Sequence, residues 1–82
     1  MEIEIFSSGD CHYCALARKL LDDQGLPYTE RRIDTDEADR QTLMHRLPGV
    51  KNLPQIFIGG EHIGSYEDLL ALARNGELNL ST

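Results

Sequence analysis

The chain has 82 residues, 40% of them apolar, and a formal net charge of −6. This length and composition predict one compact domain over residues 1–82. Its eight basic residues form no run longer than two, which argues against a nucleic-acid partner. No apolar segment approaches the length needed to span a membrane, so no membrane partner is expected.

The first predicted element is a strand over Met1–Phe6, because apolar and acidic residues alternate there at period two. Residues 7–10 are polar or glycine, which predicts a loop. A helix follows from Cys11 with its leucines on one side, and Gly25 is its expected end.

A second strand is predicted over Tyr28–Ile33. The second helix is expected to begin within Asp34–Glu37, because Asp or Thr can cap a helix and acidic residues suit its first turn. Pro48 and Gly49 end this helix. Its apolar stripe is predicted to consist of Ala38, Leu43, Met44 and Leu47.

Leu53–Ile58 is predicted to be a strand, with Pro54 near its start, where a strand tolerates proline. Gly59 and Gly60 predict a tight hairpin into Glu61–Ile63, since paired glycines permit the turns that hairpins prefer.

Ser65–Asp68 resembles a capping box, which opens a last helix that ends at residues 75–76. The initial strand–helix–strand unit predicts a parallel pair of strands, and the hairpin must be antiparallel. The fold class is therefore α/β, with a mixed sheet whose faces the helices cover.

Cys11 and Cys14 are the two cysteines of the chain and stand at C-x-x-C spacing where the first helix begins. The N–H groups and dipole of a helix start stabilise a thiolate, which lowers the pKa of the leading thiol. This arrangement is typical of thiol–disulfide exchange, and a structural disulfide or half of a metal site are the alternatives. The sequence has no secretory signal pattern, so we expect a cytoplasmic location, where disulfides are more often catalytic than structural.

Three blocks of the sequence resemble the glutaredoxin family, namely Cys11–Cys14, Leu53–Ile58 and His62–Asp68. They stand in the family's order and spacing, and the resemblance covers essentially the whole chain. It implies a thioredoxin-like fold, β-α-β-α-β-β-α, with a four-stranded mixed sheet covered by three helices. It also implies a monomeric, glutathione-dependent thiol–disulfide oxidoreductase of electron transport and cell redox homeostasis. Its implied partners are glutathione and disulfide-bearing proteins such as reductases.

The resemblance also implies roles for the residues around the cysteine pair. Cys11 would be the nucleophile that takes glutathione from a mixed disulfide, and Cys14 would resolve mixed disulfides with protein substrates. Tyr13 would pack beside the glutathione.

Two further segments are implied to bind glutathione. Pro54 resembles the family's cis-proline, which leaves the backbone of Leu53 free to pair with glutathione like a short added strand. Ser65, Tyr66 and Glu67 stand at a helix start, whose N–H groups suit the γ-glutamyl carboxylate. Glu67 matches the acidic residue that receives the γ-glutamyl ammonium.

The sequence departs from the family's pattern in three places that bear on this chemistry. His12 replaces the usual proline, and a cationic ring there would stabilise the neighbouring thiolate. Asp10 adds a negative charge that opposes thiolate formation. Ser8 replaces a frequent lysine, so Lys51 or, as a second choice, Arg46 is expected to meet the glycine carboxylate of glutathione.

Three alternatives remain open from the residues. A related electron donor could be reduced by thioredoxin reductase instead of glutathione. Because His12 replaces the proline between the two cysteines, two chains could share a [2Fe-2S] cluster through their leading cysteines and two glutathiones. A mononuclear metal site would need both cysteines and one histidine of His12, His45 and His62, of which the last two are expected to be plain surface residues.

Overall fold

The computed structural model describes residues 2–78, so Met1, the first residue of the predicted strand, lies outside the described residues. The elements are β1 (Ile3–Ser7), α1 (His12–Asp23), β2 (Thr29–Arg32), α2 (Glu37–Arg46), β3 (Gln55–Ile58), β4 (Glu61–Gly64) and α3 (Tyr66–Arg74). Their order, β-α-β-α-β-β-α, confirms the prediction.

The sheet has four strands in the order β2-β1-β3-β4. β1 and β2 are parallel, as expected of two strands joined by a helix, while β3 is antiparallel to both β1 and β4. The predicted mixed sheet is therefore confirmed, and the parallel pair places the carboxyl ends of β1 and β2 at the same edge.

One face of the sheet is packed with aliphatic side chains from the two central strands and from α1 and α3. Its buried cluster consists of Ile3, Ile5, Ala17, Leu21, Ile56, Ile58, Leu69 and Leu78. Burying each large side chain of this kind contributes about 1.5–3 kcal/mol, so this face fixes α1 and α3 on the sheet.

The other face is covered by α2 and combines aromatic rings with charges. Phe6, Leu43 and Phe57 form its buried cluster. Glu4 is only 4% exposed and accepts hydrogen bonds from Arg31 at 2.7 Å and Arg46 at 2.9 Å. Burial alone would raise the pKa of Glu4, but these two arginines outweigh it and hold that pKa below its usual value.

The arginines of this face also lie against the aromatic rings. The Arg46 guanidinium is 4.9 Å from the centroid of Phe57, and that of Arg31 is 5.8 Å from the centroid of Phe6. Such cation–π contacts favour a flat guanidinium over a ring, so each arginine bridges the buried carboxylate and an aromatic surface.

Several sequence predictions about boundaries and faces are wrong in detail. β3 begins at Gln55, so Leu53 and Pro54 precede the strand, and Ala38, predicted in the apolar stripe of α2, is exposed. Ser7, predicted as loop, is the last residue of β1, because its hydroxyl donates to Glu30 and its carbonyl accepts from Ile33. Met44, predicted in the apolar stripe of α2, is 51% exposed. Only Leu43 of α2 is buried, because charged side chains occupy much of the face that this helix covers.

The β3–β4 hairpin turns at Gly59 and Gly60, whose φ angles of 60° and 83° confirm the predicted primed turn. Further along β4 the register shifts by one residue, so that Phe57 pairs with His62 while the preceding residue pairs with Gly64. Among residues 2–78, no helix has the length and apolar character needed to span a bilayer.

Candidate functional site

The cysteine pair lies where α1 begins. Cys11 is the N-cap residue, with extended backbone angles (φ −92°, ψ 112°), and Cys14 stands at the third helical position. The two form a disulfide with their Cα atoms 5.2 Å apart. The backbone N–H of Cys14 is directed at Sγ of Cys11 at 3.1 Å, which is the contact that an N-cap side chain normally makes.

The two sulfurs differ in their exposure. Cys14 is fully buried, whereas Cys11 is partly exposed. In the reduced form, an anionic Cys11 Sγ would keep the hydrogen bond from Cys14 N–H and gain from the helix dipole. The geometry therefore presents one partly exposed sulfur at a helix start, beside a backbone N–H.

The loop before Cys11 is tied to the end of β2. The N–H of Gly9 donates to Asp34 at 2.9 Å, and Asp34 is also held by two hydrogen bonds from Arg32 at 2.8 and 2.9 Å. Arg32 and the Gly9 N–H together hold the pKa of Asp34 far below its usual range. Sequence reasoning missed this pair, although the parallel β1–β2 edge brings the two chain segments together.

A groove of about 310 Å³ lies beside the cysteines. It brings together most of the residues that were predicted to bind glutathione, and it adds Asn52, which was not predicted. Its lining consists of Tyr13, Asn52, Leu53, Pro54, Ser65, Tyr66 and Glu67. The Leu53–Pro54 peptide bond is cis, as the resemblance implied.

Aromatic rings form part of the groove wall. Tyr13 is 54% exposed, and its ring centroid lies 6.2 Å from that of Tyr66. His12 packs edge-on against Tyr13 at 5.5 Å. The histidine that replaces the family's proline is thus placed beside a groove residue.

The start of α3 forms a further part of the lining. Ser65 and Asp68 make the predicted capping box, in which the Asp68 carboxylate accepts from the Ser65 N–H at 2.9 Å and from its hydroxyl at 3.2 Å. Tyr66 and Glu67 occupy the first turn, where backbone N–H groups have no partner within the helix.

The two candidates for the glycine carboxylate are in different situations. Arg46 forms a salt bridge with Glu4 and lies over the ring of Phe57, so its charge is already paired within the protein. Lys51 is exposed and directly precedes Asn52 of the groove, although it does not line the groove itself.

A mononuclear metal site would need one histidine beside the cysteine pair. Within residues 2–78, no three His, Cys, Asp or Glu side chains are grouped so that they could hold a metal ion. The structure therefore does not bring His12, His45 or His62 together with the two cysteines as such a site.

Comparison with known proteins agrees with this arrangement. The glutaredoxin family model matches residues 3–63. Glutaredoxin 3 of Escherichia coli K12 is 39% identical over 77 residues, which cover 94% of this chain and 92% of that protein. A probable glutaredoxin of Synechocystis sp. PCC 6803 is 38% identical over 78 residues, covering 95% of this chain and 89% of the relative.

Solved structures show the same architecture. A buckwheat glutaredoxin–glutathione complex superposes with a TM-score of 0.79 at 31% identity, over 93% of this chain and 71% of that one. A glutaredoxin from Brucella melitensis gives 0.78 at 34% identity, over 96% and 85%. The fold is thus thioredoxin-like, and the chain belongs to the glutaredoxin family of thiol–disulfide oxidoreductases.

Proposed function

We propose that this protein is a glutathione-dependent oxidoreductase that reduces glutathione mixed disulfides and protein disulfides through Cys11 and Cys14. The observation that carries the proposal is the position of Cys11. Its sulfur lies at a helix start with the N–H of Cys14 3.1 Å away, next to a groove lined by Tyr13 and Leu53.

In the proposed reaction the Cys11 thiolate attacks the glutathione sulfur of a mixed disulfide. The old S–S bond breaks as the new one forms, and the substrate leaves as a thiolate that takes a proton from water. A second glutathione thiolate then attacks the Cys11 mixed disulfide, releasing glutathione disulfide and restoring the Cys11 thiolate. This exchange favours a partly ionised thiol that remains nucleophilic.

With a protein disulfide, Cys11 is proposed to form a mixed disulfide with one substrate sulfur. The thiolate of Cys14 then attacks Cys11 Sγ, so the substrate leaves fully reduced and the enzyme keeps the Cys11–Cys14 disulfide. A sequence spacing of three and a Cα–Cα distance of 5.2 Å support this step.

The proposed glutathione contacts are supported by what the groove leaves unpaired. Within residues 2–78, the N–H and C=O of Leu53 have no backbone hydrogen-bond partner, so they are free for an extended peptide. Ser65, Tyr66 and Glu67 offer the start of α3 to the γ-glutamyl group, and Lys51 supplies a positive charge near the groove. The buckwheat relative was solved as a glutathione complex.

The roles of the two sulfurs can be separated by two matched variants. Cys11→Ser is expected to abolish the reduction of a mixed disulfide between glutathione and a small thiol. The activity is measured as NADPH consumption in the presence of glutathione and glutathione reductase. Cys14→Ser is expected to keep much of that activity and to lose the reduction of protein disulfides, because only the latter needs a second thiol. Equal loss in both variants on the glutathionylated substrate would show that the assigned roles are wrong.

The same assay distinguishes the electron source. Replacing glutathione and its reductase by thioredoxin reductase should leave little activity; efficient reduction by that enzyme would favour the alternative donor. The [2Fe-2S] alternative, the monomeric state, the cytoplasmic location and the identity of the protein substrates stay predictions.

A further inference from the structure

A short chain of hydrogen bonds links β4 to the groove. Nε2 of His62 lies 2.8 Å from Oε1 of Gln55, and Nε2 of Gln55 donates to the backbone carbonyl of Asn52 at 2.9 Å. Asn52 lines the groove, whereas Gln55 and His62 do not. His62 is exposed, as predicted of a surface residue, but its ring nitrogen is engaged in this chain.

The direction of each bond in this chain follows from chemistry. A backbone carbonyl can only accept, so the amide nitrogen of Gln55 must face Asn52 and its oxygen must face His62. His62 must therefore carry a hydrogen on Nε2. Every member of the chain then has a complementary partner.

The chain is buried at its middle, and its outer end is an exposed ring that packs against an aromatic neighbour. Gln55 is the first residue of β3 and is only 8% exposed. The ring of His62 packs against Phe57, its partner across the hairpin, with 5.1 Å between ring centroids. A buried amide with both ends paired holds its orientation, because a lost partner would leave a buried polar atom unsatisfied.

The anchored carbonyl matters because of the peptide group to which it belongs. The C=O of Asn52 and the N–H of Leu53 are two ends of one planar unit, and in a trans peptide they point in opposite directions. Fixing the carbonyl towards Gln55 therefore also fixes the direction of the Leu53 N–H. That N–H is the group proposed above to pair with glutathione.

We propose that Gln55 and His62 are positioning residues, which orient the Asn52–Leu53 peptide group for glutathione from outside the groove. This inference rests on the proposed glutathione function. It differs from a purely structural role, because it predicts a change in glutathione recognition in a protein that remains folded.

Three histidine variants test the inference. His62→Phe keeps a ring against Phe57 but removes the donor, so the KM for a glutathione mixed disulfide should rise about three- to ten-fold while kcat stays within about two-fold. His62→Gln keeps an N–H donor and should restore most of the affinity. His45→Phe changes an exposed histidine of α2 and serves as the matched control, with wild-type KM.

Gln55→Met removes the middle of the chain and should raise KM at least as much as His62→Phe. Because both variants break one network, the double variant should be no worse than Gln55→Met alone, rather than showing the product of the two effects. Thermal unfolding of every variant verifies that the protein is folded, and Gln55→Met takes the place of His62→Phe if the latter does not fold.

The free protein gives a readout that does not depend on activity. In ¹⁵N relaxation measurements, the order parameter of the Leu53 N–H should fall in His62→Phe and remain at the wild-type value in His62→Gln. An unchanged order parameter or an unchanged KM in folded His62→Phe would overturn the inference. If the wild-type protein does not reduce glutathione mixed disulfides, the proposed function is wrong. The order parameter of the Leu53 N–H still decides whether His62 orients this peptide group.

Discussion

The two faces of the sheet are built from different chemistry, and each supports a different wall of the groove. The face under α1 and α3 is purely aliphatic in its buried cluster and fixes the helix starts that carry Cys11 and Tyr66. The face under α2 combines Phe6 and Phe57 with a buried carboxylate and its arginines. Gln55, which holds the carbonyl of Asn52, belongs to this second face, because it pairs with Phe6 across β1 and β3.

This difference shows what each kind of interaction can specify. Apolar burial is strong but non-directional, so it places whole helices without selecting the orientation of a single peptide group. Hydrogen bonds contribute less net free energy but fix direction. The wall formed by Tyr13 and Tyr66 therefore rests on packing. Leu53 also packs against an apolar cluster, but the orientation of its peptide group depends on directional bonds.

The largest expected effect comes from a matched pair of buried leucines on opposite faces. Leu21→Ala should lower the free energy of unfolding by about 3–5 kcal/mol, and Leu43→Ala by about 2–3 kcal/mol. Leu21 lies within the larger aliphatic cluster, whereas the smaller cluster around Leu43 borders charged side chains and can relax into the gap more easily. Urea denaturation of both variants measures this difference, and an equal or larger cost for Leu43→Ala would contradict the comparison.

A smaller effect, but one with a pH signature, is expected from Glu4→Gln. The substitution keeps the shape of the side chain and removes its charge, so it should cost about 1–2 kcal/mol at neutral pH. The two arginines hold the pKa of Glu4 below its usual 4.5, so the ionised carboxylate stabilises the fold above that pH and loses this contribution as pH falls through the lower folded value. Leu21→Ala should cost nearly the same at every pH.

The measurement is the difference in free energy of unfolding between wild type and Glu4→Gln, taken by urea denaturation from neutral pH downwards. It should be constant at neutral pH and shrink below about pH 4.5. A difference that persists unchanged into strong acid would show that Glu4 contributes through hydrogen bonds that the amide cannot reproduce rather than through its charge.

The features that the sequence predicted correctly depend on residues close together in the chain. The helix start at Cys11, the Gly59–Gly60 hairpin and the Ser65–Asp68 capping box each follow from neighbouring residue types. The cis bond before Pro54 was different, since propensity alone favours trans and only the family resemblance indicated cis.

The features that the sequence could not supply join residues across the fold. Asp34 holds Gly9 from 25 positions away, and Arg46 reaches Glu4 from 42 positions away. Periodicity describes which face of an element is apolar but not which charges meet upon it, so Met44 was placed wrongly in the stripe of α2. Contacts of this kind depend on the register of the sheet, which only the structure provides.

The smallest expected effect concerns the charged tie before the nucleophile. Asp34→Asn can still accept from Gly9 but loses the ionic partner of Arg32, so the loop should be held less firmly while the urea midpoint stays almost unchanged. We expect kcat/KM for a glutathione mixed disulfide to fall about two-fold at low salt, since exposed ion pairs contribute little.

High salt screens such pairs and should remove the difference between variant and wild type, whereas the effect of Gln55→Met, which breaks neutral bonds, should persist. Asp22→Asn, an exposed aspartate of α1, provides the control for a change in net charge. A loss in Asp34→Asn that survives high salt would mean that the loop depends on the two hydrogen bonds from Arg32, which need both carboxylate oxygens, and not on charge. The contrast between the ionic and neutral supports of the groove would then no longer hold.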